Sequence, residues 1–269
     1  MKKDIRLLAL DLDGTLLNNK KEISELNRQA IQSARKNGVH VVLTTGRPLL
    51  GIQPYLDVLK TRSADEFSIT YNGGLIQRND GSILSKKTLN LTEALDIKAL
   101  TDELGIPCDI LSEEEVFETD SPRPSLYHTI NTYMHFQKRN LDEMTEETVI
   151  NKIVASTDQE VLDEKIPEIP AIYKEKLEIF KTQAKILEFM PQGVNKAYGL
   201  AELCKTLGLT AEQVAACGDE ENDLSMIGWA GTGVAMKNAS DEVKASADVI
   251  LDKTNDEDGI AQFIEDYIL

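Results

Sequence analysis

Short apolar runs alternate with amphipathic stretches in the N-terminal part of the chain. The apolar runs predict β-strands at 5–10, 39–43 and 67–71. The intervening stretch 24–36 predicts an α-helix, with Ser24 placed to cap it. Its buried face would carry Leu26, Ala30 and Ala34, which recur every four residues. This alternation is typical of β-α-β units.

The C-terminal part repeats the pattern. The stretch 197–207 predicts a helix, because Leu200, Leu203, Cys204 and Leu207 fall on one face and Gly208 follows. Short apolar runs predict further strands at 214–217, 234–236 and 249–251. Continuous apolar strands between helices favour a parallel sheet that is covered on both faces. The sequence thus predicts an α/β fold whose core is a Rossmann-like, doubly wound parallel sheet.

The middle of the chain follows another pattern. Acidic residues cluster at 113–115 and 142–147, and prolines interrupt the sequence. This part still contains strand-like runs at 152–155 and 177–180 and a helical stretch at 92–104. We therefore expect an inserted α/β cap domain. The predicted core spans 1–84 and 189–269, and the predicted cap spans 85–188.

Composition limits the possible binding partners of the protein and its cellular compartment. The 269-residue chain has 41% hydrophobic residues and a net charge of −17, so it is globular and poorly suited to bind nucleic acid. Its three cysteines lack metal-ligand or redox spacing, which predicts buried thiols in a reducing compartment. No apolar run approaches the roughly 20 residues of a membrane-spanning helix. We expect a soluble, cytoplasmic protein, a monomer or a homodimer, with no nucleic-acid or membrane partner.

Asp11 and Asp13 end the first apolar run. Alternation along a strand lets both carboxylates project to the same side, roughly 6.5 to 7 Å apart along the backbone. Two such charges about 4 Å apart repel by about 1 kcal/mol in water and by about 4 kcal/mol at the effective dielectric of a protein surface. A divalent cation would remove that cost.

Three later segments place phosphate- or metal-binding groups after strands or at a helix start. Thr45 can donate its hydroxyl and its backbone N–H to phosphoryl oxygens, and Lys196 adds an ammonium to the positive end of a helix. An acidic loop after a later strand contains Asp219, Asn222 and Asp223. Each segment alone has a structural explanation, as a turn, an exposed lysine or a helix cap. Ligands of open α/β sheets bind at the carboxyl ends of the strands, so together the groups indicate magnesium and a phosphoryl group.

These segments and the first acidic pair resemble the four motifs of the haloacid dehalogenase superfamily. They stand in the family's order, at 11–16, 45–48, Lys196 and 218–223. The turn at 71–74, the large insert and the segment 258–261 resemble the Cof-type branch with a C2 cap, which includes the YidA-like sugar phosphatases.

The resemblance implies an enzyme that forms an aspartyl-phosphate. Asp11 would be the nucleophile, and Asp13 would protonate the leaving alkoxide and then deprotonate the attacking water. Four groups would hold Mg²⁺: Asp11, the Asp13 backbone carbonyl, Asp219 and, as a ligand or a support, Asp223. Four others would hold the phosphoryl oxygens: the Leu12 backbone N–H, Thr45, Lys196 and Asn222.

Two sets of side chains stay open. Arg47 is a further candidate contact, for which a structural ion pair is an equally good explanation. Possible substrate contacts in the cap are Arg123, Tyr127, His128, His135 and Lys181, each of which suits a surface role as well.

The sequence thus predicts a Mg²⁺-dependent phosphatase of small phosphorylated metabolites, sugar phosphates in particular, with the cap closing over the site and selecting the leaving group. A phosphomutase of the same superfamily would hand the phosphoryl group to a sugar instead of to water. A receiver-like phosphate-binding module would take its nucleophile from the third strand, but the run 67–71 supplies no acid. A catalytically silent binding protein is disfavoured, because every expected acid is present.

Overall fold

The computed structural model describes residues 4–269. Its strands are β1 (Leu7–Leu10), β2 (His40–Thr44), β3 (Phe67–Thr70), β4 (Leu75–Arg78), β5 (Ile83–Lys86), β6 (Asp109–Leu111), β7 (Glu115–Glu118), β8 (His135–Lys138), β9 (Lys152–Ser156), β10 (Leu177–Gln183), β11 (Ile186–Pro191), β12 (Val214–Gly218), β13 (Thr232–Ala235) and β14 (Val249–Ile250). Its α-helices are α1 (Glu25–Lys36), α2 (Gln53–Leu59), α3 (Leu91–Leu104), α4 (Tyr127–Ile130), α5 (Gln159–Lys165), α6 (Ala171–Lys176), α7 (Lys196–Leu207), α8 (Leu224–Trp229), α9 (Asp241–Ser246) and α10 (Gly259–Tyr267).

The chain forms two compact units. One contains the residues up to 85 and from 195 to 269, and the other contains 86–194. The boundary that the sequence suggested at 189 falls inside β11, because the apolar run of that strand continues to Pro191 and a short turn follows it.

The first unit is built on an eight-stranded sheet in the order β14-β13-β12-β1-β2-β3-β4-β5. The six strands from β14 to β3 are parallel, and β4 runs antiparallel to β3. The chain winds outward from β1 in one direction through β2 and β3, and from β12 in the other through β13 and β14. The carboxyl ends of β1 and β12 therefore flank the point where the winding direction reverses, which is where open α/β sheets bind ligands.

Helix α1 confirms the predicted element but corrects its buried face. The Ser24 hydroxyl accepts a hydrogen bond from the Asn27 N–H and caps the helix. The buried positions are Asn27, Ala30, Ile31 and Ala34, whereas Leu26 is 56% exposed, so its predicted burial is wrong. Polar Asn27 belongs to the buried stripe because its side-chain oxygen accepts the N–H of Ala261 in α10.

Helix α7 has the start and end that the sequence predicts, and most of its predicted buried face. The Asn195 side chain accepts the N–H of Tyr198 and caps the helix, and Gly208 ends it in the left-handed conformation, at φ +69. Leu200, Leu203 and Cys204 are buried, whereas Leu207 is half-buried against the same core. The helix therefore begins at Lys196 with its N-terminal turn fixed.

The second unit is a six-stranded sheet in the order β10-β11-β9-β6-β7-β8. Its pairs are antiparallel except for β7 and β8, which are parallel. The predicted helical stretch at 92–104 is present as α3, and its Ile97, Leu100 and Leu104 are buried in the hydrophobic core of this unit. The sequence does not predict strands β6, β7 and β8, because these short segments begin or end with charged or polar residues and form no continuous apolar run.

All three cysteines are free and buried, as predicted. Among the helices of residues 4–269, none has the length and apolar character needed to span a bilayer.

Candidate active site

Three aspartates meet beyond the carboxyl ends of β1 and β12. Asp11 follows β1, and its backbone N–H donates to the Cys217 carbonyl of β12, 3.1 Å away. Asp219 and Asp223 lie in the loop after β12. Carboxylate oxygens of Asp11, Asp219 and Asp223 all lie within 4.8 Å of one another, and the three residues are buried. The topology of the sheet thus brings together acids that are far apart in sequence.

Lys196 lies inside this cluster. It is the first residue of α7 and is fully buried. Its Nζ is 2.5 Å from Asp11 Oδ1 and 2.6 Å from Asp223 Oδ1. An exposed lysine without a specific contact, the structural alternative for this residue, is therefore wrong.

Asp223 organises the loop in which it lies. Its Oδ2 accepts the backbone N–H groups of Asp219 at 2.9 Å and Glu220 at 3.1 Å, while its Oδ1 accepts Lys196. Both oxygens are therefore engaged within the protein, and the carboxylate fixes the backbone that carries Asp219.

Asp219 is held by the turn that follows the first strand. The Thr15 hydroxyl donates to Asp219 Oδ1 at 2.6 Å. Gly14 has φ +85, and a Cβ built there would clash with Asp219 Oδ2, so the turn requires glycine for its conformation and for its close approach. Thr15 was not among the site residues that the sequence predicted. A hydroxyl two residues after an acid was the available signal, but nothing local showed which loop it would face.

Burial and mutual repulsion set the protonation of this cluster. Burial raises the pKa of Asp11 above its usual range, Lys196 opposes the shift and Asp223 adds to it. Burial, together with the charges of Asp11 and Asp223, also raises the pKa of Asp219. Burial alone would lower the pKa of Lys196, but the two carboxylates beside its ammonium raise it. The cluster thus holds three carboxylates and one ammonium, and full ionisation of the three requires additional positive charge.

The donor set fits a divalent metal ion. Carboxylate oxygens are hard ligands of the kind that Mg²⁺ and similar cations prefer. With Asp11, Asp219 and Asp223 ionised and Lys196 protonated, the cluster carries two excess negative charges, which a divalent cation would neutralise.

The carboxylate of Asp13 bonds to residues outside this cluster. Its carboxylate accepts Arg47 Nε at 2.9 Å and Nη2 at 2.6 Å, and Lys21 Nζ at 2.7 Å. Burial alone would raise the pKa of Asp13, but Arg47 and Lys21 more than offset this effect and lower it. The first acidic pair therefore contains two different groups: Asp11 contacts a lysine that it shares with another acid, and Asp13 is held by two cations.

The predicted phosphate-binding groups differ in their availability. The Thr45 N–H donates to the Ile69 carbonyl at 2.9 Å, so only the hydroxyl of Thr45 can serve a phosphoryl group, and the prediction for its N–H is wrong. Among residues 4–269, the Leu12 N–H donates to no protein acceptor. Asn222 Nδ2 donates to Asn72 Oδ1 at 3.2 Å and keeps its second N–H.

Asn72 is a residue of this region that sequence analysis did not single out for chemistry. It is buried, has φ +51 and ψ +32, and donates its N–H to the Thr45 carbonyl at 3.0 Å. It therefore links the loop after β2 to the loop after β12. Its place next to two glycines in the turn at 71–74 was the only local signal.

The five candidate substrate contacts in the second unit differ in burial and in their partners. Tyr127 is buried and its hydroxyl accepts the Asn131 side chain at 3.1 Å, whereas Lys181 forms an ion pair with Asp163. The other three candidates, Arg123, His128 and His135, are exposed.

Comparison with known proteins assigns the chain to a class of enzyme. The family of haloacid dehalogenase-like hydrolases matches residues 8–264, and the chain belongs to this family. A relative from Bacillus subtilis, named 5-amino-6-(5-phospho-D-ribitylamino)uracil phosphatase YcsE, is 35% identical over 99% of this chain and 97% of its own length.

Solved structures agree with this assignment. A haloacid dehalogenase-like hydrolase from Bacteroides thetaiotaomicron superposes with a TM-score of 0.83 at 34% identity, over 97% of this chain and 99% of that one. A haloacid dehalogenase-like hydrolase from B. subtilis gives a TM-score of 0.83 at 26% identity, over 97% and 99%. The predicted family, the α/β fold with a Rossmann-like core and the prediction of an enzyme are confirmed.

The chain is accordingly a phosphomonoester hydrolase of this family and acts on phosphorylated substrates. Hydrolases of the family generally use a divalent metal, which agrees with the buried aspartate cluster. A receiver-like module and a silent binding protein are set aside by this assignment.

Proposed function

We propose that the protein is a Mg²⁺-dependent phosphatase of small sugar phosphates and related phosphorylated metabolites, which works through an aspartyl-phosphate on Asp11. One observation carries the proposal: Asp11 is buried among two further aspartates, with Lys196 Nζ on its Oδ1. The ammonium and a bound divalent cation would together keep the Asp11 carboxylate ionised, which a nucleophile requires.

In the first step an Asp11 carboxylate oxygen attacks phosphorus, a new O–P bond forms and the bond from phosphorus to the ester oxygen breaks. The leaving alkoxide takes a proton from Asp13, which must enter this step in its protonated form although Arg47 and Lys21 lower its pKa. In the second step water attacks phosphorus and gives a proton to Asp13, and the Asp11 O–P bond breaks. Inorganic phosphate leaves, and both carboxyl groups return to their starting states.

Asp11, Asp219 and the Asp13 backbone carbonyl are our proposed metal ligands. Asp223 would support the site instead of ligating, because its oxygens already accept Lys196 and two backbone N–H groups. When bound, the cation would offset repulsion between the Asp11 carboxylate and the phosphate dianion.

The phosphoryl oxygens would be held by the Leu12 N–H, the Thr45 hydroxyl, Lys196 and the second N–H of Asn222. Lys196 would serve twice in this scheme, since its ammonium also holds Asp11. Each group is a donor, as recognition of an anion requires.

The substrate proposal draws on a relative of this chain. The B. subtilis relative is named for a substrate that carries a phosphate on a ribityl chain, which is a sugar-like polyol. We propose that this chain accepts phosphate esters of the same general kind, and that the inserted unit at 86–194 acts as a cap domain that selects the leaving group.

The first test is phosphate release from a panel of phosphomonoesters. Activity should require Mg²⁺ and should disappear with a chelator. Asp11→Asn should abolish release while the protein stays folded, and the exposed Asp57→Asn serves as a control that retains activity. Full activity of Asp11→Asn would disprove the nucleophile assignment.

Two further measurements separate the alternatives. Product analysis distinguishes hydrolysis from transfer to a second sugar, which would identify a phosphomutase. Asp219→Asn should raise the Mg²⁺ concentration for half-maximal activity by more than about 10-fold, as expected for loss of a metal ligand. The neighbouring exposed Glu220→Gln should leave that concentration within about twofold if the cluster binds the metal as proposed.

A further inference from the structure

The Asp13 carboxylate is held through both of its oxygens. Arg47 Nε donates to Oδ2 at 2.9 Å and Arg47 Nη2 donates to Oδ1 at 2.6 Å, so the guanidinium forms a two-bond fork. Lys21 Nζ adds a bond to Oδ1 at 2.7 Å. A fork on two oxygens fixes the plane of a carboxylate, whereas one ammonium fixes only a distance.

The fork itself is anchored. The Arg47 backbone N–H donates to Thr45 Oγ1 at 3.2 Å, and its carbonyl accepts the Tyr71 N–H at 3.3 Å. The guanidinium carbon lies 5.7 Å from the centroid of the Tyr55 ring, a cation–π distance. The Arg47 side chain is 19% exposed, compared with 58% for Lys21. Of the two cations, Arg47 is therefore the one with a defined direction.

We infer that Arg47 is a positioning residue for the proton transfer that Asp13 performs. It orients the carboxyl group so that one oxygen meets the ester oxygen of the leaving group within hydrogen-bond distance. This inference rests on the proposed function. A residue in a purely structural ion pair would behave differently. Its loss would weaken the fold, and the effect on activity would not depend on the leaving group.

Leaving-group chemistry provides the test. An alkoxide must be protonated as it leaves, whereas p-nitrophenolate is a stable anion that leaves with little proton transfer. Arg47→Gln should lower kcat on an alkyl phosphate from the substrate panel by about 100-fold, the scale of general acid catalysis. On p-nitrophenyl phosphate the loss should stay below about fivefold, because the step that Arg47 assists is less important there.

Two more variants make the test specific. Arg47→Lys keeps the charge but not the fork, and should still lose more than about 10-fold on the alkyl ester. Lys21→Met, which leaves the fork intact, should show a smaller loss than Arg47→Gln on the same ester. If Arg47→Gln does not fold, Arg47→Lys carries the comparison of the two esters.

A double-mutant cycle with Asp13→Asn completes the design. If Arg47 acts through Asp13, then Arg47→Gln should cause almost no further loss on the alkyl ester in the Asp13→Asn background. Equal losses on both esters, or fully additive losses in the cycle, would overturn the inference while leaving the proposed function intact. If the wild-type protein hydrolyses neither ester, the proposed function fails and this inference fails with it.

Discussion

The Nζ atom of Lys196 lies 2.5 Å from Asp11 Oδ1, although 185 residues separate the two along the chain. The same ammonium is 2.6 Å from Asp223 Oδ1, so it holds the loops after β1 and β12 together. Helix α7 brings it there from its first turn, fixed by the Asn195 cap. The lysine is thus a structural as well as an electrostatic component of the site.

Replacement of this lysine should therefore affect stability and activity together. Lys196→Met leaves buried carboxylates without their ammonium, and we expect the free energy of unfolding in chelator to fall by about 3–5 kcal/mol. Phosphatase activity should be lost. Urea denaturation measures the first effect, and Lys205→Met on the same helix is the control, because its side chain is 72% exposed and should change stability by about 0.5 kcal/mol or less. An unchanged free energy of unfolding for Lys196→Met would contradict the contacts described above.

Gly14 and Gly38 share a backbone conformation but differ in their surroundings. Gly14 and Gly38 have φ +85 and +84, but a Cβ at Gly14 would clash with Asp219, whereas one at Gly38 has no atom within 4 Å. Both alanine substitutions should cost about 1–2 kcal/mol for the left-handed conformation. Only Gly14→Ala should also raise the Mg²⁺ concentration for half-maximal activity, by about 10-fold or more, because it displaces a proposed ligand. Equal Mg²⁺ dependence in the two variants would argue against Asp219 as a ligand.

The sequence was sufficient to predict those strands and helices whose apolar pattern fits their order along the chain. Apolar runs that end in acids predicted that Asp11 and Asp219 follow strands, and parallel strands bring such ends to one edge. Helix α1 shows where this reasoning stops. Leu26 is exposed and Asn27 is buried, because the Asn27 side-chain oxygen accepts a hydrogen bond from the N–H of Ala261, far along the chain. Apolar periodicity cannot detect a polar residue whose partner lies in another element.

The same limit applies to the site. The bond from Thr15 to Asp219 depends on which loops face each other, and the bond from the Thr45 N–H to Ile69 depends on how far the pairing of β2 and β3 extends. Residue type predicted which groups could bind a phosphoryl group. It could not show which of those groups the protein had already used within its own fold.

Asn72 should affect substrate binding more than folding. Its side chain accepts a hydrogen bond from Asn222, yet its backbone is left-handed, a conformation that glycine adopts more readily. Asn72→Gly should therefore keep the free energy of unfolding within about 1 kcal/mol while KM rises about 10-fold, because Asn222 loses its acceptor. Steady-state kinetics and urea denaturation measure the two effects. Lys60→Gly, at φ +56 on the surface, is the matched control and should leave KM unchanged.

The raised pKa of Asp109 predicts a pH dependence of stability that is independent of the metal site. It is buried in the second unit, where burial raises its pKa from the usual 3.8 to about 7, the Ser125 hydroxyl opposes the shift and Glu118 adds to it. A raised carboxyl pKa means that the folded state holds the proton more tightly than the unfolded state does. The contribution of Asp109 to the free energy of unfolding should therefore fall as pH rises from about 4 to about 8, by a few kcal/mol and about 4 at most.

Asp109→Asn removes this ionisation and keeps an oxygen for Ser125. The variant should match the wild type near pH 4 and exceed its free energy of unfolding by a few kcal/mol near pH 8. Urea denaturation in chelator at both pH values measures the difference, with the exposed Asp96→Asn as a control that shows no such trend. A constant difference across this pH range would contradict the shift, because only a group that titrates between the two values makes the gain depend on pH.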